Sequence, residues 1–361
     1  MKRVAILTPS ITGSDAVSND VLGMHRLLQR HGFNTRVFAE SWTLKFPKVS
    51  PPQAIASFLK KRDDVLIYHY SRGWDFGLAL LADRKTPTVI RYHNVTPPEF
   101  FVSYNADLAE MCHTGRLQLY PIANSNCDRY LSASAYNMRE LIDEGAPESS
   151  SFVVPPFHHI DRLLSVPAAR KVLEAYGDAK TNICMVGRVA PNKGHPALLE
   201  AFAAYHHEYN RESRLLIIGK EETRLRNYSP FLRELAKRLE IRDAVVFTGE
   251  VSDEALRAYY QIAHAFMITS EHEGFCVPLI EAMALGVPII AYASSAISET
   301  VADAGIVWEE RNPYLLAETL DRVLKNSLSV DFSLRGRRRY AAHFTNEKIE
   351  TAFLNAMNGI L

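Results

Sequence analysis

The sequence predicts an α/β protein of two domains facing one another across a cleft. Apolar runs of strand length alternate with helical patterns in both halves of the chain, the signature of βαβ units and parallel sheets. The alternation breaks once, in SFVVPPFHHIDRL around Pro155 and Pro156, and then restarts. At 361 residues the chain is longer than one hydrophobic core usually serves.

The first half reads VAILTP, NDVLGMHRLLQRHG, TRVFA, AIASFLKKR, DVLIYHY, DFGLALLADR and TPTVIRY. In its first helical stretch Val21, Leu22, Met24, Leu27 and Leu28 form one apolar face, and Gly32 stands where a helix C-terminal glycine belongs. After a mixed helical segment from Ala168 to Ala179 the second half reads NICMVG, ALLEAFAAYHHEY, RLLIIG, FLRELAKRLE, AVVFTG, EALRAYYQIA and AFMIT. Two successive α/β runs of similar size imply two Rossmann-like domains, residues 1–160 and 161–343. NEKIETAFLNAM, within 344–361, reads as a lone amphipathic helix that can pack against either half. In such sheets ligands bind outside the carboxyl ends of the strands, so the loops there hold the candidate residues.

Bulk properties exclude several classes. Lys+Arg and Asp+Glu both number 41, so neither nucleic acid nor a strongly anionic surface is indicated as the main partner. Cys112, Cys127, Cys184 and Cys276 form no CxxC pair, which argues against a zinc ribbon or disulfide framework and fits a reducing, cytoplasmic setting. MKRVAILTPSITG is too briefly apolar for a signal peptide or membrane span, and no stretch reaches about 18 uninterrupted apolar residues.

Four strand-end loops carry candidate chemistry. In SEHEGFCVPLIEAMALGVPII, Pro278 suits a first helical position, Leu279 to Leu285 form the helix and Gly286 ends it. The N–H groups at the start of that helix make an anion site. Glu273 lies in the loop and Glu281 about one turn into the helix, so both can approach one molecule from different sides. Alone, Glu281 also reads as an acid complementing the helix dipole, worth roughly 0.3–1 kcal/mol. In MVGRVAPNKGHPALLEAF, Arg188 and Lys193 can converge on adjacent phosphates, one as a planar fork and the other as a point charge. In TVIRYHNVTPPEFF, His93 follows a strand directly and can carry a proton or hydrogen-bond a substrate. TPSITGSDAV has only Gly13 and no GxGxxG, which argues against a hydride-transferring dehydrogenase.

VGRVAPNKG and, more specifically, EGFCVPLIEAMALGVPII resemble the retaining, nucleotide-sugar-dependent glycosyltransferases of family 4 (glycosyl transferases group 1), which have the GT-B fold. The likeness covers the second half; in the first it rests on strand order, Gly13, His93 and Ala123 to Ser125. It implies that Gly187, Arg188 and Lys193 hold the donor diphosphate. Glu273 would bind sugar hydroxyls beside Gly274 and the N–H groups of Phe275 and Cys276. Val277, Pro278 and Leu279 would form the helix end facing phosphate, Glu281 would grip the ribose, and His93 would reach the sugar. Gly13 would line the donor phosphate or the acceptor, and Val251 would contact the base. The family usually has Gly where Cys276 stands, and often Gly-Gly at Thr12-Gly13.

The implied reaction is metal-independent hexosyl transfer without a cofactor. There is no DxD motif, and Arg, Lys and helix-end N–H groups stabilise the leaving diphosphate. Front-face attack by the acceptor is the route usually proposed for the family. Asp253 as an acceptor from guanine gives GDP-mannose preference over UDP-sugars, although Ser252 or Asp253 also reads as a helix cap. The acceptor would be a glycan or lipid-linked saccharide. TPPEFF and SRGWDF offer aromatic residues near it, and LKKR at Leu59 to Arg62 would touch an anionic bilayer peripherally, from the cytoplasmic face. A GT-B phosphorylase or epimerase, and an inactive nucleotide-sugar-binding protein, are the competing readings.

Overall fold

The computed structural model describes residues 2–13, 15–45 and 47–361. Two compact units emerge. One comprises Met1–Pro98, Asp107–His158 and Phe344–Leu361, and the other Glu99–Ala106 and His159–His343.

The first unit holds a seven-stranded sheet, β1 (Arg3–Ile11), β2 (Asn34–Trp42), β3 (Val49–Ser50), β4 (Val65–Tyr70), β5 (Thr88–Tyr92), β6 (Arg129–Ser132) and β7 (Ser151–Val153), in the order β3-β2-β1-β4-β5-β6-β7. The second holds β8 (Thr181–Val186), β9 (Ser213–Ile218), β10 (Val245–Gly249), β11 (Ala265–Ile268), β12 (Ile289–Tyr292) and β13 (Gly305–Trp308), in the order β10-β9-β8-β11-β12-β13. All pairings within these sheets are parallel. The strand order reverses between β1 and β4 in one sheet and between β8 and β11 in the other, the points where open α/β sheets bind ligands.

Val4, Ile6, Val37, Val65, Ile67, Val89 and Leu131 of the first sheet pack with Val21, Met24, Leu27 and Leu28 of the helix Ala16–Arg30. That helix is capped by the Asp15 side chain, which accepts from the Ser18 N–H at 2.8 Å, and it ends before Gly32, at φ +80°. The C-terminal helix, Asn346–Ala356, adds Ile349 and Phe353 to the same core, the Phe353 ring edge-on to Phe157.

Not all of AIASFLKKR is helical. The helix spans only Ile55–Phe58, because the buried Asp64 carboxylate accepts from the Lys60 and Lys61 N–H groups at 2.8 and 2.9 Å and bends the chain into a turn. TPPEFF also divides. From Glu99 to Ala106 it belongs to the second unit, where Phe100 lies 6.4 Å from the His272 ring, Tyr104 is edge-on to Tyr228 and the Asn105 amide donates to the Arg224 carbonyl. No helix among the described residues is long and apolar enough to cross a membrane.

One charged pair is sealed inside the first unit. Arg91 of β5 donates from Nε to Asp20 Oδ2 at 2.7 Å and from Nη1 to the Val154 carbonyl at 2.6 Å. Asp20 Oδ1 takes the Phe157 N–H at 2.8 Å, and both side chains are fully buried. Asp20→Ala leaves the guanidinium uncompensated and should destabilise the chain by roughly 3–5 kcal/mol. A lowered urea midpoint would show it; adding Arg91→Met should recover part of the loss.

Candidate functional site

Two of the second unit's candidate residues, Lys193 and Glu273, converge where β8 and β11 end. The turn Pro191–Lys193 leads into Gly194, at φ +65°, where a Cβ would collide with the Thr269 carbonyl oxygen. Only glycine allows this approach. Asn192 then ties the two loops together: its carbonyl accepts from Glu271 N–H at 2.8 Å and its amide donates to the His272 carbonyl at 3.1 Å.

That closure brings Lys193 to Glu273. Nζ donates to both carboxylate oxygens, at 2.7 and 2.8 Å, and the side chains are only 17% and 8% exposed. Ser270 Oγ donates to Glu273 Oε1 at 2.8 Å, and the Glu273 N–H donates to Ser295 Oγ at 2.8 Å. Glu273 is therefore a buried carboxylate held by a lysine and one serine, with its backbone N–H tied to a second serine. Arg188 does not join it. Its side chain is 63% exposed and lies 3.7 Å from Glu222. Gly187, just past β8, has φ +156°.

The helix that follows spans Val277–Leu285. Cys276 caps it at φ +73°, a left-handed conformation that costs a non-glycine residue about 1–2 kcal/mol. The departure from glycine thus keeps the backbone geometry and strains it. Burial pushes the Cys276 thiol well up. The helix start offers fewer amides than its sequence suggests: Pro278 has no N–H, and the Leu279 N–H donates back to the Cys276 carbonyl at 3.1 Å. Gly274 and Phe275 lie in the turn between Glu273 and the cap, and the Phe275 carbonyl accepts from Thr300 Oγ1 at 3.0 Å. At the other end, Arg337 caps the helix by donating to the Ala284 and Leu285 carbonyls at 3.1 and 2.8 Å.

Glu281 is buried, and its Oε2 accepts from Tyr260 Oη at 2.8 Å. Burial raises its carboxyl above the ordinary value of 4.5, with the Tyr260 hydrogen bond opposing. Val251 lies between β10 and the helix Asp253–Ile262, which Ser252 caps by accepting from the Ala255 N–H at 3.3 Å. Asp253 meets Arg162 Nε at 2.7 Å.

In the first unit, Gly13 follows β1 at φ +93°. His93 follows β5 with its side chain 7% exposed, its Nε2 lying 2.9 Å from His69 Nδ1 and 3.5 Å from Asp20 Oδ2. Burial holds His93 neutral, its pKa lowered to about 4. Asn94 next to it has φ +77°, a turn fixed by its amide donating to Asn137 Oδ1 at 2.9 Å and Glu140 Oε2 at 2.5 Å. The Asp20, His69 and His93 ligand atoms lie within 4.8 Å of one another, a spacing a metal could use, but the Arg91 guanidinium already binds the carboxylate and opposes a divalent cation. Ser270, Ser295, Tyr260, His69 and Asp20 are not apparent as site residues in the sequence, because each acts through a contact distant along the chain. Only Ser270, Ser295 and His69 have a hint in the sequence, their places at or near strand ends; Tyr260 and Asp20 lie within helices.

Lys193→Ala strands a buried Glu273 and should destabilise the chain by about 3 kcal/mol, with Lys193→Ala/Glu273→Gln more stable than Lys193→Ala in urea. For Glu281 the folded chain binds the carboxyl proton more tightly than the unfolded chain does. Its contribution is fully present below about pH 4.5 and is lost as pH rises through the raised folded value. Glu281→Gln should therefore match wild type in Tm near pH 4 and exceed it at pH 8. A constant difference across that range would contradict the assignment.

The family model described as glycosyl transferases group 1 matches residues 167–342. The mannosylfructose-phosphate synthase of Agrobacterium fabrum is 29% identical over 254 residues, 64% of this chain and 55% of that protein. The GDP-mannose-dependent alpha-(1-6)-phosphatidylinositol monomannoside mannosyltransferase of Mycobacterium tuberculosis is 28% identical over 203 residues, 53% of this chain and 51% of that protein. The chain spans about half the length of these curated relatives. Among solved structures, Anabaena HepE in complex with UDP and glucose aligns with a TM-score of 0.79 at 15% identity, over 99% of this chain and 100% of that one, a likeness in fold. Residues 167–342, most of the second unit, thus belong to the glycosyl transferases group 1 family, and the chain has the GT-B fold.

Proposed function

We propose that the protein is a retaining, metal-independent glycosyltransferase that moves a hexose from a nucleoside-diphosphate sugar to a glycan or lipid-linked saccharide, with GDP-mannose the preferred donor. The observation that carries this reading is the buried Lys193–Glu273 pair at the strand-order reversal of the second sheet. An ammonium has three N–H groups. Glu273 takes two of them, and the third serves a diphosphate oxygen as negative charge develops on the leaving group. Arg188, exposed beside its loop, and the Val277 N–H meet the remaining charge.

Glu273, oriented by Ser270, accepts hydrogen bonds from sugar hydroxyls and stabilises positive charge at the anomeric carbon. Glu281 accepts from ribose hydroxyls in exchange for Tyr260. His93 hydrogen-bonds the sugar, the role the family resemblance gives it. The preference for GDP-mannose draws on the mycobacterial relative, named as GDP-mannose-dependent, and on Asp253 at the start of its helix; a UDP-sugar is the alternative donor. The setting we propose is cytoplasmic, with the acceptor met at the membrane surface.

Purified protein should show a thermal shift with GDP or GDP-mannose exceeding that with UDP, because ligand at about 100 times its Kd stabilises by roughly 2.7 kcal/mol. Glu281→Ala should weaken nucleotide binding about 10-fold or more, ~1.4 kcal/mol. NMR of the product should show the anomeric configuration of the donor. Absence of a shift with every nucleotide would refute the reading, and an inverted product would refute retention.

A further inference from the structure

His69 and His93 share one hydrogen bond, and its direction decides what His93 can offer a ligand. Their rings lie nearly parallel, 22° apart with centroids 5.1 Å apart, and Nδ1 of His69 is 2.9 Å from Nε2 of His93. Asp20, at 3.8 and 3.5 Å from these nitrogens, is already engaged by Arg91 and the Phe157 N–H. The other nitrogen of His69, Nε2, is fully buried with no hydrogen-bond partner.

Two arrangements satisfy the 2.9 Å contact between neutral rings. If His93 Nε2 carries the proton, His69 must keep its own on Nε2, burying an N–H with no acceptor. If His69 Nδ1 carries it, the orphan is a bare ring nitrogen, and His93, accepting at Nε2, must hold its proton on Nδ1. Orphaned buried N–H groups are the rarer and costlier defect, and the hydrogen bond at one ring nitrogen selects the state of the other. Asn94, locked to Asn137 and Glu140, fixes the backbone immediately after His93.

We propose that His69 is a positioning residue that fixes the tautomer of His93, so that His93 presents an Nδ1–H donor rather than a base. The assignment of what that donor meets, a sugar oxygen, rests on the transferase reading; the tautomer itself does not.

The test uses the full chain labelled with 15N-histidine. At pH 7, long-range proton–nitrogen correlations, with His93 identified by His93→Gln, should show its proton on Nδ1. His69→Asn, whose amide can donate in place of Nδ1, should retain this state and at least about a third of wild-type kcat. His69→Phe removes the donor and should lower kcat about 10- to 100-fold while changing the donor KM much less. A His93 proton on Nε2 in the wild-type chain overturns the proposal, as does wild-type kcat in a folded His69→Phe variant. Should His69→Phe not fold, the spectra of wild type and His69→Asn decide the matter. If the wild-type chain neither transfers nor hydrolyses any nucleotide sugar, the transferase reading fails while the tautomer is still read directly.

Discussion

The second unit's site depends on one close approach. Because Gly194 has no side chain, the loop after β8 can lie against the Thr269 carbonyl at the end of β11. Asn192 then bonds to the backbone of Glu271 and His272, and Lys193 and Glu273 meet as neighbours although 80 residues separate them. Any Cβ at position 194 would push the loops apart and part this ion pair. The strained cap at Cys276 and the tertiary cap supplied by Arg337 hold the next helix at the same edge of the sheet.

Buried charge is the common material of both units. Asp20, Glu273 and Glu281 would each be costly inside a protein if unpaired. Each is met differently. Asp20 faces a guanidinium and a backbone N–H, Glu273 an ammonium and a serine hydroxyl, and Glu281 a tyrosine hydroxyl. Glu281 is bonded by the Tyr260 hydroxyl at 2.8 Å, and burial raises its carboxyl. A carboxyl bonded to one hydroxyl can exchange that partner for ligand hydroxyls more readily than one in a tight ion pair.

Much of the fold is legible in the sequence because it is local. Buried parallel strands write themselves as apolar runs, and Gly32 and Gly286 mark helix ends by the left-handed backbone they supply. Other elements have a weaker trace. The helix Leu328–His343 buries only Gly336 and Tyr340, so it lacks a continuous apolar stripe, yet it supplies the Arg337 cap. The turn that truncates the helix Ile55–Phe58 depends on Asp64 being buried, which no local pattern reveals. The second unit's inclusion of Glu99–Ala106 rests on ring contacts of Phe100 and Tyr104 with His272 and Tyr228.

The sequence by itself determined the α/β class, the parallel strands, the strand-end loops holding His93, Arg188, Lys193 and Glu273, and the helix bearing Glu281. These follow from periodicity, from turn residues and from the family resemblance of two short motifs. Tertiary structure alone decided which of those groups meet: Lys193 with Glu273 rather than with Arg188, Glu281 with Tyr260, His93 with His69 and Asp20. The reason is physical. A side chain's partner, burial and proton affinity are set by groups brought close through sheet order and loop closure, and spacing along the chain carries no record of them.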